Sequence, residues 1–254
     1  MHKGEVQPVK RIVAWFAALV LLIVFLCYDF GLMSFIHPIR QPRDGQIRVA
    51  CVGDSITYGC NVPGWRRHNY PAVLRRMLGK GYCVNNFGYS SRTAGRGGDL
   101  PYMDEALYQK SLDFEPDVVI LMLGTNDCKT FNWDEADFTA SYTALLQSYV
   151  TLESAPEVWV MLPPPVFTRF GRSAYHMQPQ VLSEQIVPLT ASIAEANQVQ
   201  TIDLQTTFAD RDARFPDGVH PDMQGAKQLA ETVYSTVFAN TASRSCALKA
   251  SRLA

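Results

Sequence analysis

From residue 47 onward the chain alternates between short, continuous apolar runs and longer stretches in which apolar side chains recur at helical spacing. The runs at 47–52, 82–87, 118–123, 158–162 and 199–204 show little in–out alternation, the pattern of strands covered on both faces. Between and after them, 70–78, 103–114, 134–152, 181–197 and 223–238 read as helices. Such alternation implies a parallel sheet with right-handed crossovers and helices on both sides, an α/β three-layer sandwich with five strands. In sheets of this kind ligands bind outside the carboxyl ends of the strands, so chemistry is expected just after each apolar run.

The first 46 residues follow a different pattern. Lys3, Lys10 and Arg11 precede an apolar run from 12 to 28, and Asp29 interrupts a softer stretch that ends near Ile36. Roughly 17 to 25 apolar residues suffice for a helix to cross a bilayer. A cleaved signal peptide shares the basic start and apolar middle, but no small-x-small site follows; the residues there are Phe25, Leu26, Cys27 and Tyr28. Leu26 is also too bulky for the position before a lipidated cysteine. Residues 1–36 are therefore expected to be a cytoplasmic tail and uncleaved transmembrane helix, with secretion after cleavage as the alternative. Positive charge on the first flank favours a cytoplasmic amino terminus and a domain on the exported side, although Arg40 and Arg43 weaken that bias. Residues 37–46, with Pro38, Pro42 and Gly45, read as a tether. Residues 47–238 form the expected domain, and 239–254 a disordered tail.

Composition narrows the partners. The 254 residues carry a formal net charge of -1 with no basic block, which argues against nucleic acid. Six cysteines include Cys27 in the apolar run, and no CxxC pair exists; a dense disulfide framework and a recognisable zinc site are excluded. Cys51 and Cys83 fall inside strands as small core residues. Cys60 and Cys128 each follow a candidate motif, so a disulfide between them stays open for an exported domain.

Four short stretches carry the candidate chemistry: Gly53-Asp54-Ser55, Asn86-Phe87-Gly88, Gly124-Thr125-Asn126-Asp127 and Asp217-Gly218-Val219-His220-Pro221. The first three follow the first three strands, and the fourth lies between the last strand and the last helix, so sheet topology brings all four to one rim. Acyl transfer at a serine requires a nucleophile, a base, an acid that orients the base, and fixed donors for the oxyanion. Ser55 is the candidate nucleophile, although a serine there can equally cap a helix. His220 is the candidate base and Asp217 its orienting acid. The amides of Ser55 and Gly88 and the side chain of Asn126 are the candidate oxyanion donors. Asp54 reads as a turn-bracing residue. A G-x-S-x-G elbow is absent because position 57 is Thr57, which disfavours an α/β-hydrolase. Trp65-Arg66-Arg67-His68, Arg92 and Arg96 could meet substrate or be plain surface. Pro163, Pro164, Pro165 and Phe167 could line the site, and Gly225 could mark close packing of the last helix on the sheet.

These blocks resemble those of the SGNH hydrolases, also called GDSL esterases, over about 47–238. The resemblance implies a flavodoxin-like three-layer fold and a serine esterase with catalytic Ser55, Asp217 and His220, an oxyanion hole of Ser55, Gly88 and Asn126, and no cofactor. Asn86-Phe87-Gly88, 162–167 and 215–221 are similar to sialate O-acetylesterases and acetylxylan esterases, which implies a short acyl ester, chiefly O-acetyl, on a carbohydrate. A glycan acyltransferase, a lysophospholipase or thioesterase, and a silent glycan-binding protein remain alternatives. An imidazole base predicts activity that rises through about pH 6 to 7; a flat rate from pH 5 to 8 would contradict it.

Overall fold

The computed structural model describes residues 6–33, 35–169 and 171–239. Five strands form one parallel sheet: β1 Ile47–Gly53, β2 Tyr82–Gly88, β3 Val118–Met122, β4 Glu157–Leu162 and β5 Gln200–Asp203, in the order β2-β1-β3-β4-β5. The helices are α1 Val6–Asp29, α2 Ser55–Tyr58, α3 Trp65–His68, α4 Tyr70–Leu78, α5 Ala106–Asp113, α6 Glu135–Val150, α7 Pro179–Val181, α8 Val187–Ala196, α9 Leu204–Phe208 and α10 Met223–Val233.

Alternate strand residues feed two separate cores, as a sheet covered on both faces requires. Ala50, Val52, Leu121 and Val160 pack with Phe138, Tyr142 and Leu145 of α6 and Ile193 of α8. Val49, Cys51, Ile120 and Met161 pack with Tyr70 and Leu74 of α4 and Leu229 and Val233 of α10. The expected three layers and parallel sheet are present. The exception is β5, where Gln200, Thr201 and Asp203 are exposed because the strand is an edge.

Several boundaries differ from the sequence expectation for local reasons. The expected helix at 103–114 is split by Glu105, which is extended and bound to Arg92 (Nε to Oε1, 2.8 Å). The expected helix at 181–197 contains a π turn, Leu182–Ile186, just before Pro188 near the start of α8. Proline lacks the N–H that would continue the ladder, and such bulges are a common accommodation. Val199 donates its N–H to Ala194 O and so closes α8 instead of opening β5. Gly225 is met by Pro221 and Arg214 rather than by the sheet.

The amino-terminal segment is the larger surprise. Arg11–Asp29 is apolar enough to cross a membrane, with a mean hydropathy of 2.5, and its apolar side chains are exposed. Residues 37–46, expected as a tether, instead lie bonded along the domain. Asn85, buried in β2, donates from Nδ2 to Arg40 O (2.9 Å) and accepts Arg40 N–H at Oδ1 (2.9 Å). His37 sits edge-on against Tyr58 and Tyr89, with centroids 5.5 and 5.0 Å away. Gln46 donates to Lys80 O (2.8 Å). Of the expected disordered tail, only Ala239 is described; residues 240–254 lie outside the described residues.

Asn85→Ala should therefore cost about 1–3 kcal/mol, since it removes two part-buried hydrogen bonds to the Arg40 backbone, each worth about 0.5–1.5 kcal/mol. Thermal unfolding reads the loss, and trypsin should cut faster at Arg40 and Arg43.

Candidate active site

β1 ends at Gly53, and the chain turns at once into α2, whose first residue is Ser55. Asp54 caps that helix, its Oδ1 accepting the Ile56 N–H (2.9 Å). The Ser55 N–H, at the first helical position, has no intrahelical acceptor. Sequence order thus leaves Ser55 at the carboxyl edge of the sheet with its hydroxyl and amide on the same short turn.

Residues 217–220 arrive from the other side. Gly218 has φ 86°, and its carbonyl accepts the Phe167 N–H (2.8 Å); a Cβ there would lie 2.2 Å from Phe167 O. This close approach admits only glycine, and it places His220 over Ser55. His220 Nε2 lies 2.8 Å from Ser55 Oγ, and Nδ1 lies 2.7 Å from Asp217 Oδ2. With Asp217 ionised, Nδ1 is the donor and Nε2 accepts from the serine hydroxyl. Both Ser55 and His220 are 7% exposed. Burial by itself would raise the Asp217 carboxyl, but His220 and the N–H groups of His220 and Val219 outweigh it and hold the group well below the usual carboxylate range.

Two further side chains reach Asp217 that no sequence motif marked. Asn61 Nδ2 donates to Oδ2 (2.7 Å) from 156 residues away, and Tyr175 OH donates to the same oxygen (3.1 Å). Both residues have left-handed backbone, φ 62° and 56°. Only asparagine's known tolerance of that region could have hinted at Asn61. Its backbone N–H is held in turn by Phe30 O (2.8 Å), just past the end of α1.

Asn126 follows β3 and lies buried beside Asp54, its Nδ2 3.4 Å from Asp54 Oδ2. Burial lifts Asp54 to a pKa of about 6 against the opposing pull of the Ile56 N–H and His220. Asp127, quoted in the motif without a role, accepts from Ala94 N (3.0 Å) and Gly95 N (2.7 Å) and ties the loop after β2 to the loop after β3. Gly88 departs from its expected part. Its N–H is already taken by Asn86 Oδ1 (2.9 Å), and a Cβ would come within 2.3 Å of Tyr58 N. Its visible role is to let β2 pass close beneath α2.

The remaining candidates sort plainly. Arg92 pairs with Glu105, and Arg96 with Asp104. Trp65 is buried and stacked on Tyr58 at 4.4 Å. Phe167 packs against Phe215 at 5.2 Å. Cys60 and Cys128 are both free thiols, and Cys128 Sγ instead lies 3.5 Å from Met177 Sδ. Among the described residues no group of three or more His, Cys, Asp or Glu side chains is placed to hold a metal ion.

A serine, a histidine and an aspartate hydrogen-bonded in line at the carboxyl edge of a 2-1-3-4-5 parallel sheet define a class: α/β sandwiches with a serine-centred site at the turn after the first strand. The GDSL-like lipase/acylhydrolase family model matches residues 51–228, and the chain belongs to that family. It is 32% identical over 231 residues to an acetylxylan esterase of Xylanibacter ruminicola, covering 84% of this chain and 47% of that protein. The chain thus spans about half the length of that curated relative. Among solved structures it resembles a carbohydrate acetylesterase from Sinorhizobium meliloti (TM-score 0.63, 21% identity, 76% of this chain and 98% of that one). The M. smegmatis aryl esterase is similar too (TM-score 0.64, 21% identity, 76% and 98%).

The raised Asp54 carboxyl has a signed consequence. The unfolded chain ionises this group near 3.8 and the folded protein near 6, so between those values the folded state holds the extra proton and stability falls as pH rises. Relative to Asp54→Asn, the wild-type melting temperature should decline from about pH 4 to 6 and then level off; a constant difference across that window would contradict the burial argument.

Proposed function

We propose that this protein is a membrane-anchored serine esterase that removes small acyl groups, chiefly O-acetyl, from a carbohydrate. The observation that carries the reading is the unbroken line from Asp217 through His220 to Ser55, 2.7 and 2.8 Å long. The likeness to an acetylxylan esterase over most of the chain supports the substrate class.

Ser55 Oγ attacks the ester carbonyl as His220 Nε2 takes its proton, and Asp217 stabilises the resulting imidazolium. The carbonyl oxygen becomes an oxyanion, for which the Ser55 N–H and the Asn126 side-chain amide are the proposed donors. The Gly88 N–H joins them only on release from Asn86. His220 then gives its proton to the departing sugar oxygen and leaves an acyl-Ser55. Water, deprotonated by the same nitrogen, releases the acid and restores the serine. Each proton in this cycle moves through one imidazole, so the orientation of that ring bears on every step. Asn61 and Tyr175 act on it through Asp217. In this reading α1, apolar over a length that can cross a bilayer, is a retained anchor, with the domain on the exported side because Lys3, Lys10 and Arg11 precede the apolar run.

Hydrolysis of p-nitrophenyl acetate, butyrate and octanoate by full-length protein tests the reading. Acetate should turn over fastest, and Ser55→Ala should lose about a thousandfold or more in kcat. Asn126→Ala should lose about 10²- to 10³-fold. Asn61→Ala should lower kcat by about ten- to a hundredfold with little change in KM, because it loosens the base without touching substrate. Equal rates for wild type and Ser55→Ala would overturn the esterase reading, and acyl transfer to a supplied glycan would redirect it to a transferase.

A further inference from the structure

At the end of α1 the domain carries a cleft of about 590 Å³, open to solvent and lined by Arg40, Arg66, Arg67 and Arg75. Neither Ser55 nor His220 lines it, so it is separate from the site above. Its charge is unusual for this molecule. Arg48, Arg92, Arg96, Arg169 and Arg214 pair with carboxylates; these four make no ion pair among the described residues, as is also true of Arg11, Arg43, Arg76, Arg172 and Arg211, but these four line a single cleft. Arg66 Nη1 donates to Tyr28 OH (2.5 Å), a neutral partner. The one acid in the lining, Asp29, accepts the Gly64 N–H at Oδ2 (3.2 Å). Burial, then the nearby charges of Arg40 and Arg76, pull the Arg75 guanidinium below its ordinary value. Gathering like charges without a counter-ion is unfavourable unless an anion completes the set.

The position of the cleft says where that anion would come from. The apolar span closes at Asp29, and Tyr28 packs edge-on against Trp65 at 6.1 Å. With α1 in a bilayer, the cleft lies at headgroup depth, where aromatic and arginine side chains gather. Guanidinium forks suit phosphate oxygens in particular.

We propose that this cleft binds the phosphate of an anionic phospholipid headgroup and thereby fixes the domain against the membrane surface. The inference rests on α1 being retained as a span, as proposed above. The bound lipid would hold α3 and α4 to the end of α1, and with them the Phe30–Asn61 contact that leads to Asp217.

The test uses full-length protein in a neutral detergent, titrated with phosphatidylglycerol or with phosphatidylcholine of the same acyl chains and read by native mass spectrometry. Intact mass from the same spectra reports whether the amino-terminal segment is present. Phosphatidylglycerol should bind at least about tenfold more tightly than phosphatidylcholine, and the Arg66→Gln/Arg75→Gln pair should lose about that factor. Arg66→Lys/Arg75→Lys should keep most of it, and turnover of p-nitrophenyl acetate by both variants shows that they fold. Undiminished phosphatidylglycerol binding by the folded glutamine variant would overturn the proposal. Equal binding of the two lipids, with inorganic phosphate retained by wild type and lost from the glutamine variant, would overturn the lipid source in favour of a free anion. A mass lacking the amino-terminal segment would refute the anchor reading itself, a result distinct from failure of the cleft.

Discussion

The carboxylate of Asp217 is where three distant parts of the chain are made to agree. Its Oδ1 takes the N–H groups of Val219 and His220, which curl the loop so that the imidazole returns to its own acid. Its Oδ2 takes His220 Nδ1, Asn61 from the loop after α2, and Tyr175 from the long connection after β4. Five donors on one carboxylate leave it little freedom to move or to take a proton. The ring of His220 is thereby fixed in plane and tautomer, and Nε2 is aimed at Ser55. Much of the surrounding architecture can be read as what it takes to bring those donors together.

The sheet supplies the platform. In the order β2-β1-β3-β4-β5 the connections from β1 and β3 leave in different directions, and the crevice between them opens at the turn that carries Ser55. Two buried carboxylates pin the loops around that crevice. Asp54 caps α2 and reaches Asn126, while Asp127 holds the loop at 94–95. Both pay for burial with raised affinity for protons, Asp54 to about 6 and Asp127 to about 7. Each accepts at more than one place, which a neutral amide with a single oxygen could not do as fully.

The apolar helix is not merely appended. Gly64 donates to Asp29, Asn61 to Phe30 O, and Tyr58 OH to Met33 O (2.7 Å), so the chain beyond the span is seated against the loop that follows Ser55. The same loop presents Asn61 to Asp217. The carboxyl end of α1 and the site therefore share one short stretch of backbone, and the segment at 37–46 continues the contact along the edge of β2.

The sequence by itself determined the layers, the parallel sheet and the residues at its carboxyl edge. Those follow from local rules: continuous apolar runs make strands covered on both faces, and a short turn leaves the residue after a strand at its end. Ser55, Asn126, Asp217 and His220 were legible for that reason, the last two because three residues of loop suffice to close an Asp–His contact. Folding alone decided the rest. Asn61 and Tyr175 reach Asp217 across 156 and 42 residues from backbone that side chains seldom adopt, and no periodicity encodes such a meeting. The place of Gly88 after a strand suits an oxyanion donor, but its amide is bonded to Asn86 Oδ1 and its missing side chain makes room for Tyr58. The tether became a bonded strap because Asn85, one residue in a strand, matched both backbone groups of Arg40. Local pattern fixes which residues stand at an edge; only the packed chain fixes which partners they find there.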